Sequence, residues 1–317
     1  MSPTTRVLRV ERLTRLADDV VEVRLADPAG APLPNWEPGA HVALDLPIGL
    51  TRQYSLCGPE SDRASWTIAV HRPTTSRGGS AYVHDGLRIG ALLPVTGPRN
   101  DFPLAPAARH LLVAGGIGIT PIAAMARRLR ATGADWALLY CGRTRAGMAF
   151  LDEVAGWEPE RVRIHVDDEA GGPVDLAAVL AAHEGALVHC CGPEPMLAAV
   201  ERLAPDPALV RVERFRAPEP AAPPAGGEEP FDVVCAGSGL RVRVGPEESA
   251  LDALARAGVV VPTSCGEGIC GTCETKVLDG VPDHRDHVLS DAERAAGGSM
   301  FVCVSRARTP ELVLDLP

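Results

Sequence analysis

The sequence has little that would hold it to a nucleic acid or a membrane. Its 31 Lys and Arg are outnumbered by 41 Asp and Glu, a formal net charge of −10, so there is no basic excess to displace counterions from nucleic acid or an anionic bilayer. The start, MSPTTRVLRVERLTR, lacks the apolar core of an export signal. Between Arg109 and Arg127 run 17 residues without Lys, Arg, Asp or Glu. That run is broken by Gly115, Gly116, Gly118 and Pro121 and falls short of the ~20 apolar residues that span a bilayer. Internal repeats are absent. A cytoplasmic setting is expected, where nine cysteines point to metal binding or burial rather than disulfides.

What remains is an ordinary globular composition, 46% hydrophobic and 23% charged, which argues against disorder. At 317 residues the chain exceeds what one core serves, so two or three domains are expected. The clearest boundary is APEPAAPPAGG, Ala217 to Gly227, a linker without apolar periodicity.

Before residue 105, short apolar runs such as VVEVRLAD, HVALDLP and WTIAVHRP alternate with PAG, GP and RGG turns, the pattern of a small antiparallel barrel. From Arg109 to Phe215, strand-like LLVAG, ALLYCG, VRIHV, ALVHCCG and LVRVERF alternate with helix-like TPIAAMARRLR, AGMAFLDEVAG, DLAAVLAA and PEPMLAAVERL. Such alternation predicts a parallel sheet with helices on both faces. The expected division is 1–106, 107–216, a linker over 217–228, and 229–317.

The last segment carries SCGEGICGTCET. Cys265, Cys270 and Cys273 follow C-x4-C-x2-C, and Cys303 comes later in MFVCVSRA. This is the plant-type ferredoxin spacing, in which four thiolates hold a 2Fe-2S cluster. Gly266, Gly268 and Gly271 let the loop curl and aim N–H groups at the sulfurs. Zinc is the weaker reading, since it usually takes paired C-x2-C units and only one is present. Cys57, Cys141, Cys190, Cys191 and Cys235 sit in apolar or strand-like settings that suit core residues.

Two stretches of the first segment suit a flavin phosphate. Arg52-Gln53-Tyr54-Ser55 could set a ring and a guanidinium against a flat cofactor, and Arg77-Gly78-Gly79-Ser80 leads into a helix start that presents N–H groups to an anion. In the middle segment GGIGITP, Gly115 to Pro121, follows a strand and opens a helix, so its backbone can approach a pyrophosphate although it is not G-x-G-x-x-G.

With these motifs the chain resembles the ferredoxin-NADP reductase superfamily and, in domain order, the phthalate dioxygenase reductase family. The resemblance implies a multidomain protein: an antiparallel β-barrel flavin domain, an α/β parallel-sheet nicotinamide domain and an α+β β-grasp ferredoxin domain. It implies FMN, with FAD as the alternative, at Arg52, Gln53, Tyr54, Ser55, Arg77, Gly78, Gly79 and Ser80. NADH is implied at Gly115, Gly116, Gly118, Thr120 and Pro121, and at CGPEPM, where Cys191, Gly192 and Pro193 would flank the nicotinamide. Ser55, Cys191 and Phe215 would stand at the reacting rings. Arg143 and Arg145 could grip a 2′-phosphate, yet the family is mostly NADH-dependent.

The implied activity is electron transfer from NADH through FMN to the 2Fe-2S cluster and on to a separate terminal oxygenase, Rieske-type or cytochrome P450, by a monomer. A two-electron donor requires the flavin to release electrons singly to a one-electron cluster. The competing expectation is a non-catalytic redox-sensing module. From Glu229 to Pro317 there are 14 acidic and 8 basic residues, a charge suited to meeting a basic protein partner.

Overall fold

A computed structural model describes residues 4–76, 78–217 and 228–317. Arg77 and residues 218–227 of the expected linker lie outside the described residues. The chain makes two compact units, one ending at Arg214 and the other running from Phe215 to Pro317.

The first unit begins with β1 (Thr5–Ala17), β2 (Val20–Ala26), β3 (His41–Leu46), β4 (Leu50–Ser55), β5 (Ser65–His71), the short helix α1 (Gly79–Asp85) and β6 (Leu92–Arg99). The strands form an antiparallel sheet in the order β4-β3-β6-β1-β2-β5, and a bridge from Leu56 to Ile68 draws the edge strands together. Period-2 patterning fills the interior: Val42, Leu44 and Leu46 point inward with Leu93 and Val95, as alternation along a pleat requires.

The same unit continues with β7 (Arg109–Gly115), α2 (Ile119–Thr132), β8 (Asp135–Gly142), α3 (Leu151–Ala155), β9 (Val162–Val166), α4 (Asp167–Ala170), α5 (Leu176–Ala182), β10 (Leu187–Cys191), α6 (Glu194–Leu203) and β11 (Val210–Glu213). The sheet is parallel, in the order β11-β10-β7-β8-β9. The chain leaves β7 toward β8 and later returns to β10 on its other side, so a crevice opens outside the carboxyl ends of β7 and β10. One expected helix is shorter than its sequence suggests. AGMAFLDEVAG begins in a 3-10 turn over Arg145–Gly147 and gives α-helix only over Leu151–Ala155, because Met148 is extended and Phe150 takes φ 57 between the two.

Helix α2 explains why the two sheets form one unit. It has no polar face over Ile119 to Ala126, and all eight of these residues are buried. Ile122, Ala123 and Met125 join the core beside β7 and β8, whereas Ala124 packs into the barrel interior. A helix that is apolar all round must be covered on both sides.

The second unit contains β12 (Phe231–Cys235), β13 (Arg241–Val244), α7 (Ala250–Arg256), β14 (Glu274–Asp279), β15 (Pro282–Asp283), α8 (Asp291–Ala296), β16 (Ser299–Phe301), β17 (Arg306–Ala307) and β18 (Glu311–Leu314). Its mixed sheet runs β13-β12-β18-β14-β16, with β12 parallel to β18 and Ala250, Ala253 and Leu254 of α7 in the core. This is the β-grasp arrangement. Among the described residues no helix is long and apolar enough to cross a membrane.

Candidate functional site

The two glycine-bearing turns at the carboxyl edge of the parallel sheet are pressed into one another. A Cβ on Gly118 would stand 2.1 Å from the Cys191 carbonyl oxygen, and one on Gly115 would stand 2.6 Å from Pro193 Cδ. Cys191 pairs with Ala114 across β10 and β7, so register brings GGIGITP and CGPEPM together. Gly116 takes φ +54, which a side chain disfavours. Thr120 is buried and donates its hydroxyl to the Ile117 carbonyl at 3.0 Å, which stiffens the turn from within. Pro121 is buried beside it.

Behind this cradle lies a group that the sequence reading missed. Glu213, at the end of β11, pairs with Cys191, and the Cys191 thiol meets its Oε2 at 3.8 Å. Glu213 keeps a partial opening to solvent, yet desolvation, with the Asp101 charge second, pushes its carboxyl up to about 8. Burial likewise drives the Cys191 thiol well above its ordinary value. With both pKa values raised, the acid and the thiol favour their neutral forms, and an uncharged floor suits an uncharged ring better than an ion. The available signal was the lone acidic residue in the VERF strand end.

On the barrel, β4 and the start of α1 meet. A Cβ on Gly79 would stand 2.6 Å from Arg52 Cγ, so the arginine lies across the glycine turn; Gly78 takes φ 90. Ser76 Oγ lies 2.9 Å from Ser80 Oγ and accepts from the Gly78 N–H at 3.2 Å. Since α1 has only seven residues, its dipole is slight, and among the described residues of this turn Arg52 brings a cationic side chain. Tyr54 packs against the barrel core, and burial pushes its hydroxyl up to about 12. Gln53 is half-buried, Ser55 is buried, and Ser55 pairs with His41. An arginine over a Cβ-free turn fits a flavin phosphate.

The remaining residues of this unit are more open. Arg143 is exposed after β8, and Arg145 is held bidentately by Glu169 at 2.7 and 2.8 Å. Phe215, the first residue of the second unit, is 40% exposed.

In the second unit the four cysteines gather. The Cys265 sulfur lies within hydrogen-bond reach of Cys270 and Cys303, which lower its pKa, and Cys303 also reaches Cys273. The Glu267 N–H donates to the Cys265 sulfur at 3.2 Å. Gly266, Gly268 and Gly271 take φ 68, 68 and 70, the left-handed values that let a loop curl inward. Cys270, Cys273 and Cys303 are buried. Among the described residues no three His, Cys, Asp or Glu side chains gather as around one mononuclear ion. A two-iron cluster asks two thiolates of each iron, and a set of four cysteines suits it. The other five cysteines are buried and unbridged.

Residues 233–308 match the 2Fe-2S iron-sulfur cluster binding domain and residues 112–202 the oxidoreductase NAD-binding domain. The chain is 47% identical to phenoxybenzoate dioxygenase subunit beta of Ectopseudomonas oleovorans, over 100% of this chain and 98% of that protein. It superposes on an intact type IV self-sufficient cytochrome P450 monooxygenase with TM-score 0.90 and 44% identity, covering 98% of this chain but only 41% of that longer one. Against phthalate dioxygenase reductase, a modular structure for electron transfer from pyridine nucleotides to [2Fe-2S], the TM-score is 0.72 and the identity 39%, with 98% of both chains covered. With an NAD-binding sheet, a closed antiparallel barrel and a plant-type cysteine set in one chain, the protein is an electron-transfer oxidoreductase and belongs to the phthalate dioxygenase reductase family.

Proposed function

We propose that this chain is the NADH-dependent reductase of an oxygenase system, passing electrons through FMN and the cluster to a separate terminal oxygenase. The observation that carries it is the pairing, in one chain, of a Cys191-floored cradle at the sheet edge with four cysteines linked in a row of contacts, Cys270 to Cys265, Cys265 to Cys303 and Cys303 to Cys273. The assigned spans are a flavin domain over 1–106, an NAD domain over 107–216, a linker over 217–228 and a ferredoxin domain over 229–317.

Bound there, the flavin converts a two-electron donor into single electrons for the cluster. The chain's own residues bind and aim. Arg52, Arg77, Gly78, Gly79 and Ser80 take the FMN phosphate, and Gln53, Tyr54 and Ser55 border the ring. Gly115, Gly116, Gly118, Thr120 and Pro121 would hold the pyrophosphate, Cys191, Gly192 and Pro193 would hold the nicotinamide, and Phe215 is assigned to the flavin ring. Cys265, Cys270, Cys273 and Cys303 ligate the irons. NADH is favoured over NADPH because Arg145 is already committed to Glu169 and Asp167 and Asp168 stand on the same short helix, which opposes a second phosphate.

The acceptor is a Rieske-type oxygenase or a cytochrome P450. Phenoxybenzoate dioxygenase subunit beta and the self-sufficient P450 support an oxygenase partner. The nine free cysteines support a reducing, cytoplasmic setting, and we assign a monomer. The test is an anaerobic NADH titration of the full chain followed by visible absorbance and EPR. Flavin bleaching followed by a one-electron cluster signal is expected; a flavin that stays oxidised in excess NADH overturns the reading.

A further inference from the structure

The three-cysteine loop and the fourth cysteine lie far apart in the chain; β14 and β16 pair beside them, Glu274 with Phe301, and one short segment bonds to both sides. The His287 N–H donates to the Gly268 carbonyl at 2.8 Å, inside the cysteine loop. The Arg285 N–H donates to Ser305 Oγ at 3.3 Å, two residues past Cys303. The segment lies close against the loop: a Cβ on Gly268, itself at φ +68, would stand 3.1 Å from Asp286 Cα and 2.5 Å from Val304 Cγ2.

At the centre of this tie is Asp286, 1% exposed. Its Oδ2 accepts the N–H groups of Val288 at 3.1 Å and Leu289 at 2.9 Å, closing the turn as a short carboxylate can. Arg294 clasps the same turn, donating to the carbonyls of Asp286 at 2.5 Å and Leu289 at 3.1 Å. Its guanidinium also forms a long ion pair with Asp286 Oδ2 at 3.8 Å, beyond hydrogen-bond distance. The other oxygen, Oδ1, has no hydrogen-bond partner among the described residues; its neighbour is His284 Nδ1 at 3.7 Å. Burying a carboxylate so incompletely paired is costly, and a neutral Asn or Ser would cap the turn at less cost. The charge therefore calls for a use.

We propose that Asp286 is a positioning residue for the iron–sulfur cluster, bracing the tie between the three-cysteine loop and Cys303 while its buried charge holds the cluster's reduction potential down. Reduction adds one negative charge inside the thiolate cage, and a fixed carboxylate against the cage opposes it in a medium that screens poorly. Asp286 ligates nothing; it acts through the Gly268 carbonyl and the turn.

The proposal rests on the four-cysteine reading. Spectroelectrochemical titration of the full, cluster-loaded chain tests it, with Asp286→Asn, Asp286→Ala and the exposed-surface control Asp279→Asn. Asn keeps an acceptor for both N–H groups but not the charge, so wild-type iron content is expected with the midpoint raised by about 59 mV, a tenfold change in a one-electron equilibrium. Ala removes the brace too, so lowered iron content or heterogeneous EPR g values are expected as well. Asp279→Asn should leave both readings at wild type.

A wild-type midpoint in Asp286→Asn overturns the electrostatic role, and wild-type iron and midpoint in Asp286→Ala overturn the whole proposal. Should neither variant fold, amide exchange of the wild-type chain decides. A His287 N–H protected as well as those of β14 supports the brace, and fast exchange overturns it. If Cys303→Ala keeps its iron, the ligand reading itself fails, an outcome distinct from failure of the Asp286 role.

Discussion

Arg128 on α2 grips Glu60 in the loop after β4, donating from Nε and Nη2 to its two carboxylate oxygens at 2.5 Å each, while its neighbour Arg127 donates to the Cys57 carbonyl at 2.6 Å. Helix α2 springs from the glycine turn assigned to the pyrophosphate, and the Cys57–Glu60 loop leaves directly from Ser55 at the assigned flavin ring. Two adjacent arginines thus join the segments that carry donor and acceptor.

Arg128→Ala is expected to slow NADH-to-flavin reduction about fivefold, the scale of ~1 kcal/mol for a partly exposed bidentate pair. The charge-swapped double variant Glu60→Arg/Arg128→Glu should recover most of the rate. Stopped-flow single turnover is the measurement, and equal rates in wild type and Arg128→Ala would reduce the pair to a surface contact.

Cys303→Ala should lose or cripple the cluster, with iron content and cytochrome c reduction falling while NADH still bleaches the flavin. The two activities reside in separate compact units, so one can fail alone. Full iron and an undiminished cytochrome c rate would remove Cys303 from the ligand set.

Glu169→Ala should free Arg145 from the carboxylate that holds it bidentately and raise kcat/KM with NADPH about tenfold relative to NADH, the worth of a charge-assisted phosphate contact. An unchanged coenzyme ratio places the 2′-phosphate elsewhere.

Glu213 ties folding to pH. Its carboxyl is raised from an ordinary 4.5 to about 8 in the folded chain, so the native state holds a proton that the unfolded chain gives up. The stabilisation is complete below about 4.5 and drains away as pH rises through about 8. Glu213→Gln lacks the drain. Its melting temperature should match wild type at pH 4 and exceed it by about 3 °C or more at pH 8.5; parallel pH profiles in differential scanning calorimetry would remove Glu213 as the cause.

The second unit carries a net −6 between Glu229 and Pro317. Small electron-transfer contacts depend on charge steering for their rate, and at ~0.15 M ionic strength screening already acts within ~8 Å. The second-order rate of acceptor reduction should fall severalfold across a salt series, with flavin reduction by NADH as the internal control. A rate indifferent to salt would assign docking to apolar contacts.

The parts of this protein that were legible in the sequence are those written locally. C-x4-C-x2-C with Cys303, the strand-to-helix glycine turn and the alternation of strand and helix all lie within short windows, and each has a physical reason to be read directly. Glu213 was not legible because its meaning comes from β11 lying against β10, a pairing between segments with a helix between them. Asp286 was hidden in the same way: it looks like one more surface acid until His287 is seen bonded to Gly268. The joining of barrel and parallel sheet into one unit did have a sequence trace, since ITPIAAMA has no polar face to turn to water.

The contact between Gly118 and the Cys191 carbonyl bears on how such reductases can be re-engineered. A coenzyme loop transplanted from another nucleotide-binding protein would bring a side chain to a point 2.1 Å from a backbone oxygen, unless the donor's own CGPEPM counterpart came with it. The two segments, separated by most of the parallel sheet in sequence, therefore behave as one exchangeable cassette, and recombination breakpoints falling between them should yield chimaeras that fold poorly while breakpoints outside both are tolerated.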